Sequence, residues 1–428
     1  MGLASTRLAC AAVTHLDWHA DRNWPALLDT APESDGIDLG GVRRYRQQRV
    51  RSEMEARDIT ALVLSDSVNI RYTTGTRNMQ VFTLRNAPAR YLLLTGDRSI
   101  LYEFTGCEHL AAGFDTVDEV RPSTTASFVA AGADIANRER AWAAEIATTI
   151  RAEVGPGDHR VGVERMNAGS AIALAATGLR IVDAQETVER ARAIKSPGEV
   201  DCIRASLRMT GEAVARLRDA VRPGISEAEL WSVLHQHVIA GNGDYCETRL
   251  LNSGPRTNPW FQETSSRVIG ANELIALDTD VVGCHGYYAD FSRTFHSGPG
   301  APTAEQRELY RLAHEQVHHN LGIIEPGLTF REYSERAWNI PDRYRAHRYY
   351  LSAHGCGMTG EYPYLYHRDD FAAAGYDGTV EPGMTLCVES FIGAEDGREG
   401  VKLEQQILVT ETGWELLSDF PFEDSLLA

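Results

Sequence analysis

The sequence lacks an excess of positive charge: 42 Lys and Arg stand against 60 Asp and Glu, a formal net charge of −18 at pH 7. Phosphate-backbone partners select a basic face, so nucleic acid is excluded as a partner class. It also lacks any apolar run near the roughly 20 residues needed to span a bilayer, which excludes a spanning helix, and no membrane partner is expected. Cysteine is scarce and unpatterned: Cys10, Cys107, Cys202, Cys246, Cys284, Cys356 and Cys387 stand singly, without C-x-x-C spacing. That excludes a disulfide framework and suits a reducing compartment. The opening MGLASTRLACAAV has too short an apolar stretch for a secretory signal, and Gly2 with Thr6 matches an acylation pattern only formally. A cytoplasmic location is expected. Low-complexity tracts and fixed-period repeats are absent. What remains is an ordinary globular composition, 43% hydrophobic and 24% charged over 428 residues, enough for two domains and a large core.

Residues 1–40 show little periodicity and read as an irregular arm. From Val42 to Arg57 a charge-rich pattern predicts an exposed helix. Strands are expected at Ile59–Ser65, Ala89–Leu94, Ser99–Phe104 and Arg160–Val163, and helices at Glu139–Val154 and Ser170–Ala176. This alternation defines an α/β domain over 41–195, with no catalytic constellation of its own. The boundary falls near Ala193-Ile194-Lys195-Ser196-Pro197-Gly198. Ser196 before Pro197, with Glu199 in the first turn, starts a helix that runs to about Val221. Ser226 and Glu229 spell a second helix start, and Thr303 and Gln306 a third. Glu247–Leu251, Met384–Phe391 and Val401–Val409 read as strands in the domain over 196–428.

The chemistry concentrates in Leu274-Ile275-Ala276-Leu277-Asp278-Thr279-Asp280 and, after a Gly-rich turn, Tyr288-Ala289-Asp290-Phe291-Ser292-Arg293-Thr294. Acids are rarely buried unless paired or bound to a metal. Strand alternation places Asp278 and Asp280 on one face, and the turn brings Asp290 alongside. Three further ligand types sit in similar settings: His354 before Gly355-Cys356-Gly357, Glu389 in Met384-Thr385-Leu386-Cys387-Val388-Glu389, and Glu404 in Val401-Lys402-Leu403-Glu404. Asp280, Asp290, Glu389 and Glu404 with His354 make a set of four carboxylates and one imidazole that suits Mn, Fe, Co or Zn, and carboxylates can bridge two such ions.

The order and context of these residues resemble the creatinase/aminopeptidase family, whose catalytic half has the pita-bread fold. The resemblance covers Ser196 to the C-terminus closely and an N-terminal creatinase-like domain more loosely. It implies two divalent transition-metal ions, with Asp290 and Glu404 bridging, Asp280 chelating one ion, and His354 with Glu389 holding the other. It also implies a homodimer acting on a small-molecule substrate. Two imidazoles of the family's Xaa-Pro peptidases are replaced, by Trp260 and Glu361, which argues against a peptidase. Arg249–Glu263, Asp278-Thr279-Asp280, Tyr349 and Glu361-Tyr362-Pro363 instead resemble the family's dimethylsulfoniopropionate lyases. That likeness implies that Asp278 also contacts a metal and that Tyr349 lines the substrate pocket, where Trp260 and His367 are expected as further substrate-binding residues.

The base Asp of those lyases is Gly360 here, so Glu361, Tyr349 and His367 become the candidate bases, with Glu361 favoured as the neighbour of the vacant position. The expected reaction is a metal-assisted β-elimination. A metal-hydroxide C–N hydrolase and a non-catalytic binding protein on the same fold are the alternatives. His314-Glu315-Gln316-Val317-His318 spells H-E-x-x-H, with Glu332 or Glu335 as a third donor. It ranks below the main set because its helix reads as a solvated face.

Overall fold

The computed structural model describes residues 36–79 and 88–428. Most of the arm expected over 1–40 lies outside the described residues. The first helix, Leu39–Ala56, is capped by Asp38, whose carboxylate accepts from the Gly41 backbone N–H at 2.9 Å. It is not the exposed helix its charge suggested. Val42, Val50 and Met54 turn inward together with Arg46 and Gln47. The two polar side chains are buried because each finds partners: Arg46 donates to Tyr287 Oη, and Gln47 to the Thr116 carbonyl at 2.7 Å.

Six strands form the sheet of the N-terminal half: β1 (Ala61–Leu64), β2 (Tyr91–Thr95), β3 (Ser99–Glu103), β4 (Glu119–Pro122), β5 (Arg160–Val163) and β6 (Arg180–Asp183). Their order is β4-β3-β2-β1-β5-β6. The β1–β2 and β2–β3 pairs are antiparallel, while β4, β5 and β6 join in parallel. Helix Ile135–Val154 covers this sheet with Trp142, Ile146 and Ile150.

The C-terminal half is built on three sheets. β7 (Tyr245–Cys246), β10 (Val281–Val282) and β11 (Tyr288–Ala289) form one; β8 (Leu251–Ser253), β9 (Leu274–Asp278) and β12 (Ser292–His296) form another. The strand expected at Glu247–Leu251 is instead mostly a connection, because the chain leaves one sheet at Cys246 and joins the other at Leu251. The third sheet has the order β14-β13-β15-β16-β17, with β13 at Leu351–Cys356, β14 at Gly360–Tyr366, β15 at Thr385–Gly393, β16 at Gly400–Thr410 and β17 at Gly413–Leu416. Helices Pro197–Ala220, Glu227–Ala240 and Ala304–Ile323 pack on these sheets, and each begins with a complete capping box, from Ser196, Ser226 and Thr303 respectively. Such boxes satisfy two otherwise unbonded backbone donors and fix where each helix starts.

The two halves share a core. One apolar cluster runs from Val50, Leu62 and Leu92 through Ile203 and Leu234 to Leu277 and Phe291. A buried ion network crosses the same junction. Glu361, on β14, accepts from Arg192 at 2.6 Å and from Lys195 at 2.5 Å, and all three side chains are nearly inaccessible. Removing one member of such a network leaves the others charged and desolvated, at about 3–5 kcal/mol. Glu361→Ala should therefore lower unfolding free energy by about that amount in urea titration. A loss under about 1 kcal/mol would mean that the pair contributes no more than an exposed one.

Candidate metal centre

The register of the five-stranded sheet assembles the site. On antiparallel neighbours, residues directly opposite share a face, as do residues two apart on one strand. His354 lies opposite Cys387, Glu389 opposite Glu404, and Cys387 opposite Gln406. Lys402, two residues before Glu404, joins the same face. The other face carries Leu386, Val388, Leu403 and Ile407 into the core. Asp290 is delivered from outside, in the short break between β11 and β12, where its backbone N–H donates to Gln406 Oε1 at 3.1 Å.

His354 Nε2 stands 3.5 Å from Glu389 Oε1, 3.6 Å from Glu404 Oε1 and 3.7 Å from Asp290 Oδ2. Its Nδ1 lies 2.9 Å from the Gly355 carbonyl, a contact that leaves Nε2 facing the carboxylates. Asp290, His354, Glu404 and Cys387 each offer a ligand atom, all within 4.8 Å of one another. Asp290 Oδ1, Glu389 Oε1 and Glu404 Oε1 are buried without any hydrogen-bond partner. Three orphaned carboxylate oxygens, two of them facing one imidazole nitrogen, are costly unless a cation completes them. The donor set therefore fits a divalent transition metal.

Electrostatics agree. Burial, then the Glu404 charge, drives the Asp290 carboxyl far above its usual range. Burial raises Glu389 to about 7 against the pull of Lys402, and raises Asp280 to about 8 with help from Asp278. Burial disfavours a charged His354, but the adjacent Glu404 and Glu389 carboxylates outweigh it and lift the ring to about 10. Without a cation, Asp280, Asp290 and Glu389 hold protons where ordinary carboxylates would be ionised, while Lys402 and His354 overcome burial and lower the Glu404 pKa.

Asp278 and Asp280 are less alike than strand alternation implied. β9 ends at Asp278, and Asp280 sits at φ +38°, which breaks the alternation. Asp280 accepts a hydrogen bond from Thr248 Oγ1. Asp278 accepts from Ser292 Oγ at 2.7 Å and lies 3.4 Å from Lys402 Nζ, so it faces a cation of the chain itself.

Two of the three candidate bases are not brought to the cluster. Glu361 lies opposite Gly355 in the register, a step away from the His354–Cys356 face, and its carboxylate is taken up by Arg192 and Lys195. This placement corrects the expectation of a free base beside the vacant position. His367 is buried beside Gln316, 3.5 Å away, and burial lowers its pKa to about 4; it is a neutral packing residue. Tyr349 does reach the site. Its ring centroid is 5.8 Å from Lys402 Nζ, as is that of the buried Trp260. Trp260 stacks on Phe391 at 5.9 Å, and Phe261 meets Tyr349 at 5.2 Å. Phe261 is half exposed at φ +69°, a strained conformation for a bulky side chain and one that clusters at ligand clamps. Gly360 is open: a Cβ there would meet only His354 Nδ1, at 4.0 Å.

The H-E-x-x-H motif holds no comparable set. Its two rings lie 3.9 Å apart, Glu315 is engaged by Arg311 and the Trp338 indole, and Glu332 closes a capping box with Thr329. The sequence reading missed Lys402, Ser292, Thr248 and Cys387. Alternation from Glu389 and Glu404 could have found Cys387 and Lys402; nothing local marks Thr248.

The fold and the site define a metalloenzyme of the pita-bread type. The chain matches the metallopeptidase family M24 over residues 201–411 and the creatinase/prolidase N-terminal domain over 46–194, and it belongs to that family. It is 36% identical over 396 residues to the dimethylsulfoniopropionate lyase DddP of Roseovarius nubinhibens, covering 91% of this chain and 88% of the relative. It is 34% identical over 433 residues to the enzyme of the same name from Roseobacter denitrificans, covering 99% and 92%. In fold it is similar to the Xaa-Pro dipeptidase from Bacillus anthracis, with a TM-score of 0.71 at 22% identity over 89% of this chain and 99% of that one. Among the described residues, no helix is long and apolar enough to cross a membrane.

Adding Mn²⁺, Co²⁺ or Zn²⁺ should stabilise the fold, by about 2.7 kcal/mol at a free ion concentration of 100 Kd. Calorimetry with and without EDTA measures it. Asp290→Asn and Glu404→Gln should lose the response, and a variant that keeps it in full would remove that residue from the donor set.

Proposed function

We propose that this chain is a metal-dependent lyase that cleaves dimethylsulfoniopropionate, or a closely related onium carboxylate, by β-elimination. What carries the reading is Trp260. Where the family's Xaa-Pro peptidases have an imidazole, this chain has a buried indole that, with Tyr349, already flanks a cation, the Lys402 ammonium. Aromatic faces attract sulfonium and quaternary ammonium groups in the same way. The second peptidase imidazole is replaced by Glu361, which is locked in ion pairs. The two relatives named as lyases support the same reading.

Asp280, Asp290, His354, Glu389 and Glu404, with Asp278 beside them, would hold two divalent ions of iron, manganese, cobalt or zinc. These would supply the positive charge that stabilises a carbanion next to the substrate carboxylate. Trp260, Phe261 and Tyr349 would orient the sulfonium end. Tyr349 is the proton acceptor: its oxygen takes the proton from the carbon beside the carboxylate. The C–S bond breaks, the electron pair leaves with sulfur, and the products are dimethyl sulfide and acrylate. Burial and the Glu389 charge raise the Tyr349 pKa while Lys402 opposes them, so the reactive phenolate is a minor species at neutral pH. We expect a homodimer from the family resemblance and a cytoplasmic setting from the scattered cysteines and the lack of a secretory signal.

Metal-reconstituted protein should release dimethyl sulfide from dimethylsulfoniopropionate, at a rate that rises with pH, as headspace gas chromatography would show. Tyr349→Phe should cost about 10²–10⁴-fold in kcat without loss of metal. Gly360→Asp, which returns a carboxylate beside His354, should raise turnover and shift its rise to lower pH. Proline release from Xaa-Pro dipeptides without dimethyl sulfide would establish the hydrolase instead. A protein that takes up no metal would leave only a binding role.

A further inference from the structure

The chain contains only two lysines, Lys195 and Lys402, among its 42 basic side chains. Both are buried against glutamates: Lys195 holds Glu361 at the junction of the two halves, and Lys402 lies inside the carboxylate cluster. The surface is served by arginine, so the ammonium at position 402 is a particular feature of the site. Lysine differs from arginine in being a compact point charge with three donors rather than a broad planar fork.

The three donors of Lys402 are all used. Nζ lies 2.8 Å from Glu389 Oε2, from Glu404 Oε2 and from Ser292 Oγ. Ser292 in turn contacts Asp278 Oδ1 at 2.7 Å and Glu404 Oε2 at 2.6 Å, and Asp278 Oδ2 is 3.4 Å from the ammonium. The contacts are selective at the level of single atoms. In both glutamates the ammonium takes Oε2, and in both it is Oε1 that is buried without a partner and faces His354 Nε2.

We infer that Lys402 is a positioning residue of the metal centre: it holds the outer oxygen of Glu389 and of Glu404, so that each glutamate presents one inner oxygen to the ion. Asp278 and Ser292 form the outer frame of this arrangement. Within this frame Asp278 touches both the ammonium and Ser292. The inference rests on the metal reading above.

Two effects of removing the ammonium have opposite signs, and that makes the inference testable. If Lys402 only neutralises charge, its loss leaves the donor set more negative and divalent ions bind more tightly. If it positions the glutamates, its loss frees their outer oxygens to turn and binding weakens. Partners that orient metal ligands cost about 10–100-fold in affinity when removed.

The experiment titrates Co²⁺ into wild type and Lys402→Met by isothermal calorimetry and records the visible Co²⁺ spectrum of each. Ser292→Ala serves as a second variant that removes one of the three ammonium contacts. The expected result is weaker Co²⁺ binding in Lys402→Met, by about 10–100-fold, with altered visible bands as the ligand geometry changes. Ser292→Ala should weaken binding less, in the same direction. Tighter or unchanged binding in Lys402→Met, or an unchanged spectrum, overturns the inference. If Lys402→Met does not fold, Ser292→Ala decides: weaker binding supports the inference and unchanged binding overturns it. Failure of wild type to bind Co²⁺ would sink the metal reading itself, a result distinct from either outcome for Lys402.

Discussion

Crowding of like charge in a dry place governs this structure. Glu389 and Glu404 sit directly opposite one another on neighbouring strands, an arrangement that is unfavourable for two ionised acids. Asp290 is brought against them from another sheet, and Asp278 and Asp280 approach from the end of β9. Five carboxylates and one resident ammonium leave a formal surplus of four negative charges. Two divalent ions would cancel that surplus and make tolerable an arrangement that an ordinary core would reject. Without them the cluster must keep protons on buried acids, as the raised values of Asp280 and Glu389 show.

The N-terminal half holds no part of this cluster, yet it frames two of the segments that do. Arg192 and Lys195 fix Glu361 on the hairpin that carries His354 and Gly360. Arg46, from the first helix, reaches Tyr287, whose hydroxyl donates to Glu199 at 2.8 Å; Asp290 follows three residues later. Both loops that approach the site from the junction are therefore tied to buried ion pairs or charge-assisted hydrogen bonds. Positioning to a fraction of an ångström requires support of this kind around the reacting groups.

Much of this was legible in the sequence, for physical reasons that differ from residue to residue. Asp278 to Asp290 stood out because acids inside apolar strands need an explanation. Glu389 and Glu404 stood out by interrupting alternation, and the helix starts at Ser196, Ser226 and Thr303 announced themselves through local hydrogen-bonding chemistry. Lys402 did not, because a lysine in a strand usually reads as a solvent-facing position, and its meaning lies in partners on β12 and β15. The buried face of the first helix was hidden for the same reason. Arg46 and Gln47 look like surface residues until Tyr287 and Thr116 are placed beside them.

Gly360 and Glu361 show how far a one-residue step reaches on a strand. Successive side chains point to opposite faces, so a carboxylate at 361 is no substitute for one at 360. Glu361 spends its charge holding two halves of the molecule together, while the backbone at 360 runs bare past His354. The neighbourhood that looked in sequence like a displaced base is thus two separate devices. One is a buried clamp that gives the hairpin its position; the other is an open place beside the metal-facing imidazole. A base for that place would have to come from elsewhere in the chain, and Tyr349, just before β13 and close to both Lys402 and Phe261, is the candidate that lies beside the cluster.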